Sequence, residues 1–133
     1  MNEYQEKWVF PCNIKFFDIF SHFKSHNTVV WKKRGAIHQN DIVYIYIGAP
    51  YGEIRFKCHV INDNISKEKL EQNQYAIQKN SMCAQYIELK LDKIFKEKEY
   101  PFKELKENGI GQVQIPARVS RQLKAFLKSR GED

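Results

Sequence analysis

The sequence predicts an α+β fold in which a strongly curved antiparallel sheet, or a small barrel, packs against helices. Residues 41–48 are all apolar or aromatic except for those at the two ends of the segment. Residues 54–61 alternate between apolar and polar side chains. Apolar residues also recur at helical spacing near both ends of the chain. With 133 residues, of which 42% are hydrophobic, the chain is long enough for one core, so we expect a single domain over residues 1–133.

The N-terminal part predicts a strand followed by a helix. Residues 7–10 predict the strand, which we expect to end at Pro11 because proline has no N–H to donate to a ladder. Asn13 is expected to cap the helix, whose apolar stripe then faces the sheet. The stripe consists of Phe16, Phe17, Ile19, Phe20 and Phe23.

The middle of the chain predicts a short strand and then a long hairpin. Residues 28–31 are mostly β-branched and predict the short strand, after which residues 32–40 form a loop. Residues 41–48 predict a central strand that is covered on both faces, and residues 54–61 predict its antiparallel partner. In the partner strand one face is expected to carry Ile54, Phe56, Cys58 and Val60, and the other Arg55, Lys57 and His59.

The C-terminal half predicts a polar excursion, one strand and two helices. We expect the excursion at residues 62–81, with a short helix at residues 67–72, and the strand at residues 86–95. Pro101, as the first helical residue, and Gly109, as the terminator, define a short helix. A last amphipathic helix is marked by Val119, Leu123, Phe126 and Leu127.

Composition favours an anionic partner and a cytoplasmic location. The formal net charge is +6 and the pI is about 9.2. No segment reaches the roughly 18 apolar residues of a membrane helix, and residues 1–6 carry two acids where a secretory signal carries bases. Three cysteines without CxxC spacing argue against a disulfide framework or a zinc knuckle.

The motifs for common catalytic chemistry are missing from the sequence. It contains no GxxxxGK[ST] or GxGxxG phosphate loop, and its four histidines do not assemble with a nucleophile. His22 and His26 have the spacing of two ligands on one helical face, but no HExxH and no third ligand accompany them. We therefore predict no metal site and no cofactor, and favour binding over catalysis.

Trp31 is the most informative residue, because it ends a strand and is followed at once by Lys32, Lys33 and Arg34. Base faces stack on aromatic rings, and basic side chains hold phosphates, so the combination suits a nucleotide. The alternative is a core tryptophan beside a solvated basic turn. These residues alone leave both interpretations open.

Several segments in this order resemble the EVE domain of the PUA-like superfamily, which is related to YTH and ASCH domains. The resemblance covers most of the chain and is carried by strand-end Trp31 and by residues 8–13 (WVFPCN), 41–48 (DIVYIYIG), 54–60 (IRFKCHV) and 114–120 (QIPARVS). It implies a curved sheet or pseudo-barrel flanked by helices. It also implies recognition of nucleic acid, in several members through a flipped, modified base held in an aromatic-lined pocket.

Carried over residue by residue, the resemblance implies a base-binding pocket and a phosphate-binding surface. Trp31 matches the aromatic wall of the pocket, and the remaining pocket positions are Cys12, Asn13, Tyr46, Ile47, Gly48 and Tyr51. The phosphate-binding positions are Lys32, Lys33, Arg34, Arg118 and Arg121. The modification stays open, since the second tryptophan, Trp8, lies near the start of its strand.

We therefore expect a non-catalytic, monomeric module that reads a modified base, with modified cytosine in DNA favoured over RNA. A separately encoded nuclease is a second candidate partner. One alternative is an ASCH-like enzyme that acts on RNA or on a modified nucleoside, using a lysine, tyrosine or glutamate as acid or base. Another is a domain that binds a protein partner through an exposed apolar patch.

Overall fold

The structure is a computed structural model that describes residues 5–33, 35–65, 85–110 and 117–132. These residues form six strands and three helices. The strands are β1 Lys7–Cys12, β2 Thr28–Lys32, β3 Ile42–Ile47, β4 Glu53–Ile65, β5 Tyr86–Ile94 and β6 Ala117–Arg118. The helices are α1 Ile19–Ser25, α2 Phe102–Glu107 and α3 Arg121–Ser129.

The strands form one mixed sheet in the order β2-β5-β4-β3-β1-β6. All neighbours are antiparallel except β1 and β3, which run parallel with Cys12 opposite Ile47. The sheet is strongly curved, because Trp31 of β2 lies 6.4 Å from Phe10 of β1 between ring centroids, although three strands separate the two in the sheet. The predicted α+β class with a curved sheet is confirmed, and within the described residues the sheet does not close.

The two faces of the sheet carry two separate cores, and β3 contributes to both. Val43, Ile45 and Ile47 face the first core, whereas Tyr44 and its alternate neighbours face the second. This confirms that β3 is central and covered on both sides. The first core also contains Phe10, Phe56, Cys58, Ile87 and Leu89, with α1 packed against it through Ile19. The second contains Val9, Phe95, Tyr100, Leu105, Leu123 and Leu127.

A β-bulge in β4 moves Ile54 to the face opposite to the one predicted for it. Ile45 pairs with Phe56 and Tyr46 pairs with Ile54, so Arg55 is an extra residue on β4. Phe56 therefore faces the first core while Ile54 lies in the second. The prediction that Ile54 shares a face with Phe56 was wrong, because simple alternation cannot anticipate an inserted residue.

Two N-terminal boundaries also differ from the predictions. Pro11 does not end β1, since the strand continues to Cys12. Among the described residues, β6 pairs with Trp8 and Val9 only and not with the proline, which has no N–H to donate. Helix α1 begins at Ile19 because Asp18, not Asn13, caps it: the Asp18 carboxylate accepts from the Ser21 N–H at 3.2 Å.

The remaining elements agree with the predictions in type and order. Strand β5 and helices α2 and α3 are confirmed, with Pro101 as the N-cap of α2 and Gly109 just beyond its end at φ +96°. Strand β4 extends to Ile65, so residues 62–65 belong to a strand and not to the predicted excursion. The rest of that excursion up to residue 81, with the helix predicted at residues 67–72, lies outside the described residues. None of the described helices is long and apolar enough to span a bilayer.

Candidate functional site

Trp31 lies at the margin of the first core, near the end of edge strand β2. Its ring is 5.8 Å from that of Phe17 in an edge-on arrangement and 6.4 Å from that of Phe10. The residue is only partly buried. Both sequence interpretations therefore describe part of its surroundings, because the indole packs on the core and also meets solvent.

Cys12 ends β1 directly beside this aromatic group. Its side chain is buried, and its thiol lies 3.6 Å from the Phe17 carbonyl oxygen, to which it donates. Burial, with a smaller contribution from the Asp18 carboxylate, raises the pKa of Cys12 to about 12. The thiol is thus protonated at neutral pH and offers no nucleophile here.

Asn13 organises the turn of residues 13–17 that links β1 to α1. Its side-chain oxygen accepts from the Lys15 N–H at 3.0 Å, and its carbonyl accepts from the N–H groups of Phe16 and Phe17 at 2.9 and 3.1 Å. Asn13 was predicted to line the base pocket, but its side-chain oxygen already has a donor in this turn. Asn13 is therefore in place to position Phe16 and Phe17.

The turn of residues 48–52, which follows β3, lies beside the turn of residues 13–17. The Gly48 N–H donates to the Cys12 carbonyl at 3.0 Å, and the Gly48 carbonyl accepts from Tyr51 at 3.1 Å. Ile47 points into the first core and is fully buried. A Cβ added at Gly48 would lie 3.8 Å from the Cys12 carbonyl oxygen, an ordinary contact, so packing within the chain does not demand a glycine here.

The two turns display two aromatic rings, of which the sequence assigned Tyr51 but not Phe16 to the predicted pocket. Phe16 is 89% exposed and Tyr51 is 43% exposed. Tyr51 packs on Phe20 at 5.2 Å, and the Arg55 guanidinium lies 5.1 Å from the centre of the Phe20 ring. Phe16 was predicted in the core stripe, which was wrong because α1 begins three residues after it; no signal in the periodicity distinguishes it from Phe17 or Phe20.

Tyr46 is not brought together with Trp31. It is buried in the second core, where its ring meets that of Phe102 edge-on at 6.2 Å. Burial also raises the pKa of its hydroxyl. The separation follows from the strand itself, because Tyr46 and Ile47 are consecutive residues of β3 and must point to opposite faces.

The predicted phosphate-binding residues are divided between β2 and the β6–α3 segment. Lys32 is the last residue of β2, and Lys33 continues it, with its N–H bonded to the Gln85 carbonyl at 2.8 Å and its ammonium to the Asp63 carbonyl at 3.3 Å. Arg34 lies outside the described residues. Arg121 is exposed as the first residue of α3.

The ring of Trp8 lies next to both Arg118 and the chain that follows β2. The Arg118 guanidinium lies 5.3 Å from the centre of the Trp8 ring, and a Cβ added at Gly35 would lie 3.3 Å from the same ring. The indole itself is buried and donates to the Asp41 carboxylate at 3.1 Å. Arg118 and the loop after β2 therefore share one neighbour, although they come from opposite edges of the sheet.

The second face contains a buried carboxylate, that of Glu132, which pairs with two lysines. The Glu132 carboxylate, 3% exposed, accepts from the ammonium groups of Lys57 at 3.1 Å and Lys93 at 2.6 Å. Burial alone would raise the pKa of Glu132, but the hydrogen bonds and charges of the two lysines outweigh it and lower that pKa. These lysine–carboxylate pairs lie across the sheet from Trp31, beside the buried hydroxyls of Tyr44 and Tyr100.

The histidines on and beyond α1 pack against each other. The rings of His22 and His26 stack with centroids 4.6 Å apart and an interplanar angle of 7°. His22 Nε2 lies 2.6 Å from the Thr28 carbonyl oxygen, and burial lowers the pKa of this imidazole. In the parts of the chain that the structure describes, no group of three or more His, Cys, Asp or Glu side chains is arranged to hold a metal ion.

No protein-family model and no curated protein matches the sequence. Solved structures match it over nearly its whole length. Human THYN1, in complex with DNA that contains 5-methylcytosine, superposes with a TM-score of 0.67 at 12% identity, over 97% of this chain and 99% of that chain. A variant of the Zymomonas mobilis ASCH protein gives a TM-score of 0.66 at 11% identity, over 95% and 96%. A hypothetical protein from Leishmania major gives 0.60 at 16%, over 98% and 96%.

Identities this low establish the fold, and the fold agrees with the resemblance drawn from the sequence. The ASCH protein and THYN1 have the same arrangement of a curved sheet and flanking helices as the chain described above. This chain therefore has the fold that the ASCH protein and THYN1 share.

Proposed function

We propose that this protein is a non-catalytic nucleic-acid-binding module that holds a flipped, modified base against Trp31, with 5-methylcytosine in DNA as the favoured ligand. The observation that carries the proposal is the partly buried Trp31 ring, supported by Phe10 and Phe17 and followed by two lysines. THYN1, which shares the fold, is in complex with DNA that contains 5-methylcytosine, and this supports the choice of ligand.

The energies of base flipping are compatible with such a site. Extruding a base from a duplex costs a few kcal/mol, and stacking on one aromatic side chain returns about 1–3 kcal/mol. Because Phe10 and Phe17 already hold the Trp31 ring, little side-chain entropy is lost when a base stacks on it. Lys32 and Lys33 then add affinity that depends on salt but not on base sequence.

The titratable groups favour a reader over the ASCH-like enzyme. An acid or base for turnover of RNA or of a modified nucleoside has to reach the reacting atoms beside Trp31. Two buried ionisable groups lie near Phe17. Cys12 keeps its proton at neutral pH, and the imidazole of His22 is engaged with the Thr28 carbonyl oxygen at 2.6 Å. The pairs of Glu132 with Lys57 and Lys93 lie on the opposite face of the sheet, under the second core.

The test is a titration of the protein with matched DNA oligonucleotides that carry cytosine or 5-methylcytosine, followed by tryptophan fluorescence. We expect tighter binding of the modified oligonucleotide and a change in emission. In Trp31→Phe only buried Trp8 remains to emit, so we expect the emission change to disappear. In Trp31→Ala the preference for 5-methylcytosine should be lost while the far-UV circular dichroism stays that of the parent protein.

Equal affinity of the parent protein for both oligonucleotides would contradict a modified-base reader. Retained preference in Trp31→Ala would return Trp31 to a core role. Release of a cleaved or deaminated product during the same incubation, detected by mass spectrometry, would favour the ASCH-like enzyme instead.

The two lysines are tested by their effect on salt dependence. We expect Lys32→Ala with Lys33→Ala to weaken modified and unmodified DNA equally and to reduce the slope of log affinity against log salt by up to about 2. The matched control is Lys103→Ala with Lys106→Ala on α2, which removes the same charge from exposed residues on the second face. The same slope in both double variants would exclude Lys32 and Lys33 from the interface.

The cytoplasmic location, the monomeric state and a separately encoded nuclease partner stay predictions. Gel filtration of the protein with and without the modified oligonucleotide checks the oligomeric state. A monomer would elute near the size expected for 15.9 kDa.

A further inference from the structure

We infer that the two neighbouring turns at the end of β1 and β3, residues 13–17 and 48–52, form a second base-stacking site. We call this surface the rim. In this inference the rim takes the nucleotide next to the base held by Trp31, and it therefore rests on the proposed function.

The exposure of aromatic rings on the rim is the first observation. Three large hydrophobic side chains of the described chain are exposed, namely Phe16, Tyr51 and Ile94. Two of them are aromatic, and both of these lie on the rim. Scattered apolar side chains are common on protein surfaces, whereas aromatic rings on adjacent turns form a patch on which a flat ligand can stack.

The rim is held to one strand end by backbone hydrogen bonds, which is the second observation. Cys12 accepts from the Gly48 N–H at 3.0 Å, and Asn13 accepts from both Phe16 and Phe17. The rings of Phe16 and Tyr51 are thus carried by turns that are anchored to Cys12, the last residue of β1, and to Asn13, the residue after it. A platform whose backbone is already fixed loses little freedom when it binds.

The chemistry around the rim selects nucleic acid as the occupant. The Tyr51 ring packs on Phe20, and the Arg55 guanidinium, which pairs with the Glu53 carboxylate at 3.5 Å, lies over the same Phe20 ring at 5.1 Å. Lys15 is exposed beside Phe16 in the chain, and the whole protein carries a formal charge of +6. Aromatic faces with cations beside them bind successive bases and their phosphates without reading the sequence.

The position of the rim relative to Trp31 indicates a neighbouring nucleotide. Phe17 packs edge-on against Trp31 at 5.8 Å, and Phe16 is the residue before Phe17 in the same turn. In the chain, exposed Phe16 is thus next to Phe17, the residue that contacts Trp31 of the proposed base pocket. Trp31 would supply selectivity for the modification, while Phe16 would supply affinity that every nucleic acid shares.

The experiment compares Phe16→Ala with Ile94→Ala, which also removes an exposed apolar side chain but lies at the end of β5. Affinities are measured by fluorescence anisotropy for labelled single-stranded oligonucleotides with cytosine or 5-methylcytosine. We expect Phe16→Ala to bind both oligonucleotides about fivefold more weakly or worse, the lower end of what one stacked base contributes. The ratio of the two affinities should stay that of the parent protein, and Ile94→Ala should bind like the parent.

The outcomes separate the rim from the Trp31 pocket. Equal affinities of Phe16→Ala and Ile94→Ala would overturn the second stacking site, whatever Trp31→Ala does. A loss of preference in Phe16→Ala without a general loss of affinity would also overturn it, since Phe16 would then belong to the modified-base pocket. A parent protein without preference, together with weaker binding by Phe16→Ala, would refute the modified-base reader and leave the rim as a general stacking surface; absence of binding would overturn both.

Discussion

The two faces of the sheet differ in what lies between their cores and the solvent. On the first face, buried Phe10 and partly buried Phe17 both contact the ring of Trp31, and Phe16, the residue before Phe17, is 89% exposed. On the second face, α2 and α3 lie over the core. The buried carboxylate of Glu132 there forms ion pairs with Lys57 and Lys93. One face thus opens toward solvent through aromatic rings, and the other is closed by helices and charge pairs.

This difference assigns separate tasks to the two faces. Side chains that close the second core stabilise the domain, whereas rings exposed on the first face add little to stability and are available to a ligand. Substitutions on the second face should therefore change the free energy of unfolding, and those at Phe16 or Trp31 should mainly change binding. Three stability measurements test the division.

Truncation of Phe95 should have the largest effect. Its ring is buried in the second core and lies 5.0 Å from that of Tyr100 and 6.3 Å from that of Tyr44. We expect Phe95→Ala to lower the free energy of unfolding by about 3–5 kcal/mol, because it removes buried apolar surface and leaves a cavity. In urea titrations Phe16→Ala should differ from the parent by less than about 0.5 kcal/mol. Similar losses of unfolding free energy in Phe95→Ala and Phe16→Ala would contradict the proposed difference between the two faces.

Removal of the Glu132 charge should have an intermediate effect that depends on pH. At pH 7 we expect Glu132→Gln to lower the free energy of unfolding by about 1–3 kcal/mol, since two buried hydrogen bonds to a charged group are weakened. The folded-state pKa of Glu132 is lowered from its ordinary 4.5, so its stabilisation is present above that value and is lost as the pH falls through the folded-state pKa. The gap between parent and variant should therefore shrink on acidification.

A matched control for that ion pair lies on the surface. Glu104 pairs with Arg130 at 3.4 Å, but both side chains are about two-fifths exposed, at 42% and 39%. We expect Glu104→Gln to change the free energy of unfolding by less than about 0.5 kcal/mol. Equal effects of the two glutamine variants would show that enclosure of Glu132 adds nothing to the strength of its pairs.

A small effect is also expected from removal of the tyrosine hydroxyls of the second core. Those of Tyr44 and Tyr100 are buried and have no hydrogen-bond partner among the described residues. Burial raises the pKa of both groups, that of Tyr100 to about 12, so neither ionises near neutral pH. We expect Tyr44→Phe and Tyr100→Phe to stay within about 1 kcal/mol of the parent or to be more stable, because no bond is lost. A larger loss in thermal or urea unfolding would mean that the hydroxyls contribute hydrogen bonds.

Much of the fold could be predicted from the spacing of apolar residues. The β3–β4 hairpin and β5 show the alternation of strands, and the last two helices show helical spacing. The errors occurred where a non-local or single-residue event intervened. Pro11 continues β1, where β6 pairs with Trp8 and Val9 only among the described residues, and Arg55 inserts a bulge that moves Ile54 to the second core. Helix α1 starts late because Asp18 caps it in preference to Asn13.

The candidate site was predicted only in part. Trp31 and Lys32 stand out in the sequence because an aromatic strand end meets a basic run, and Cys12 and Asn13 entered through the resemblance. The structure brings Cys12 and Asn13 to the turn that holds Phe17 against Trp31. Phe16 was missed, because a phenylalanine in an apolar run gives no sign of being exposed.

The sequence by itself determined the α+β class, the order of its main elements and the basic charge that favours an anionic partner. These properties depend on local alternation and on composition, which can be read along the chain. The tertiary structure decided which aromatic rings meet: curvature brings Trp31 from one sheet edge to Phe10, while the pleat of β3 sends Tyr46 to the opposite core. Such contacts join residues distant in the chain, and only the path of the folded backbone sets them.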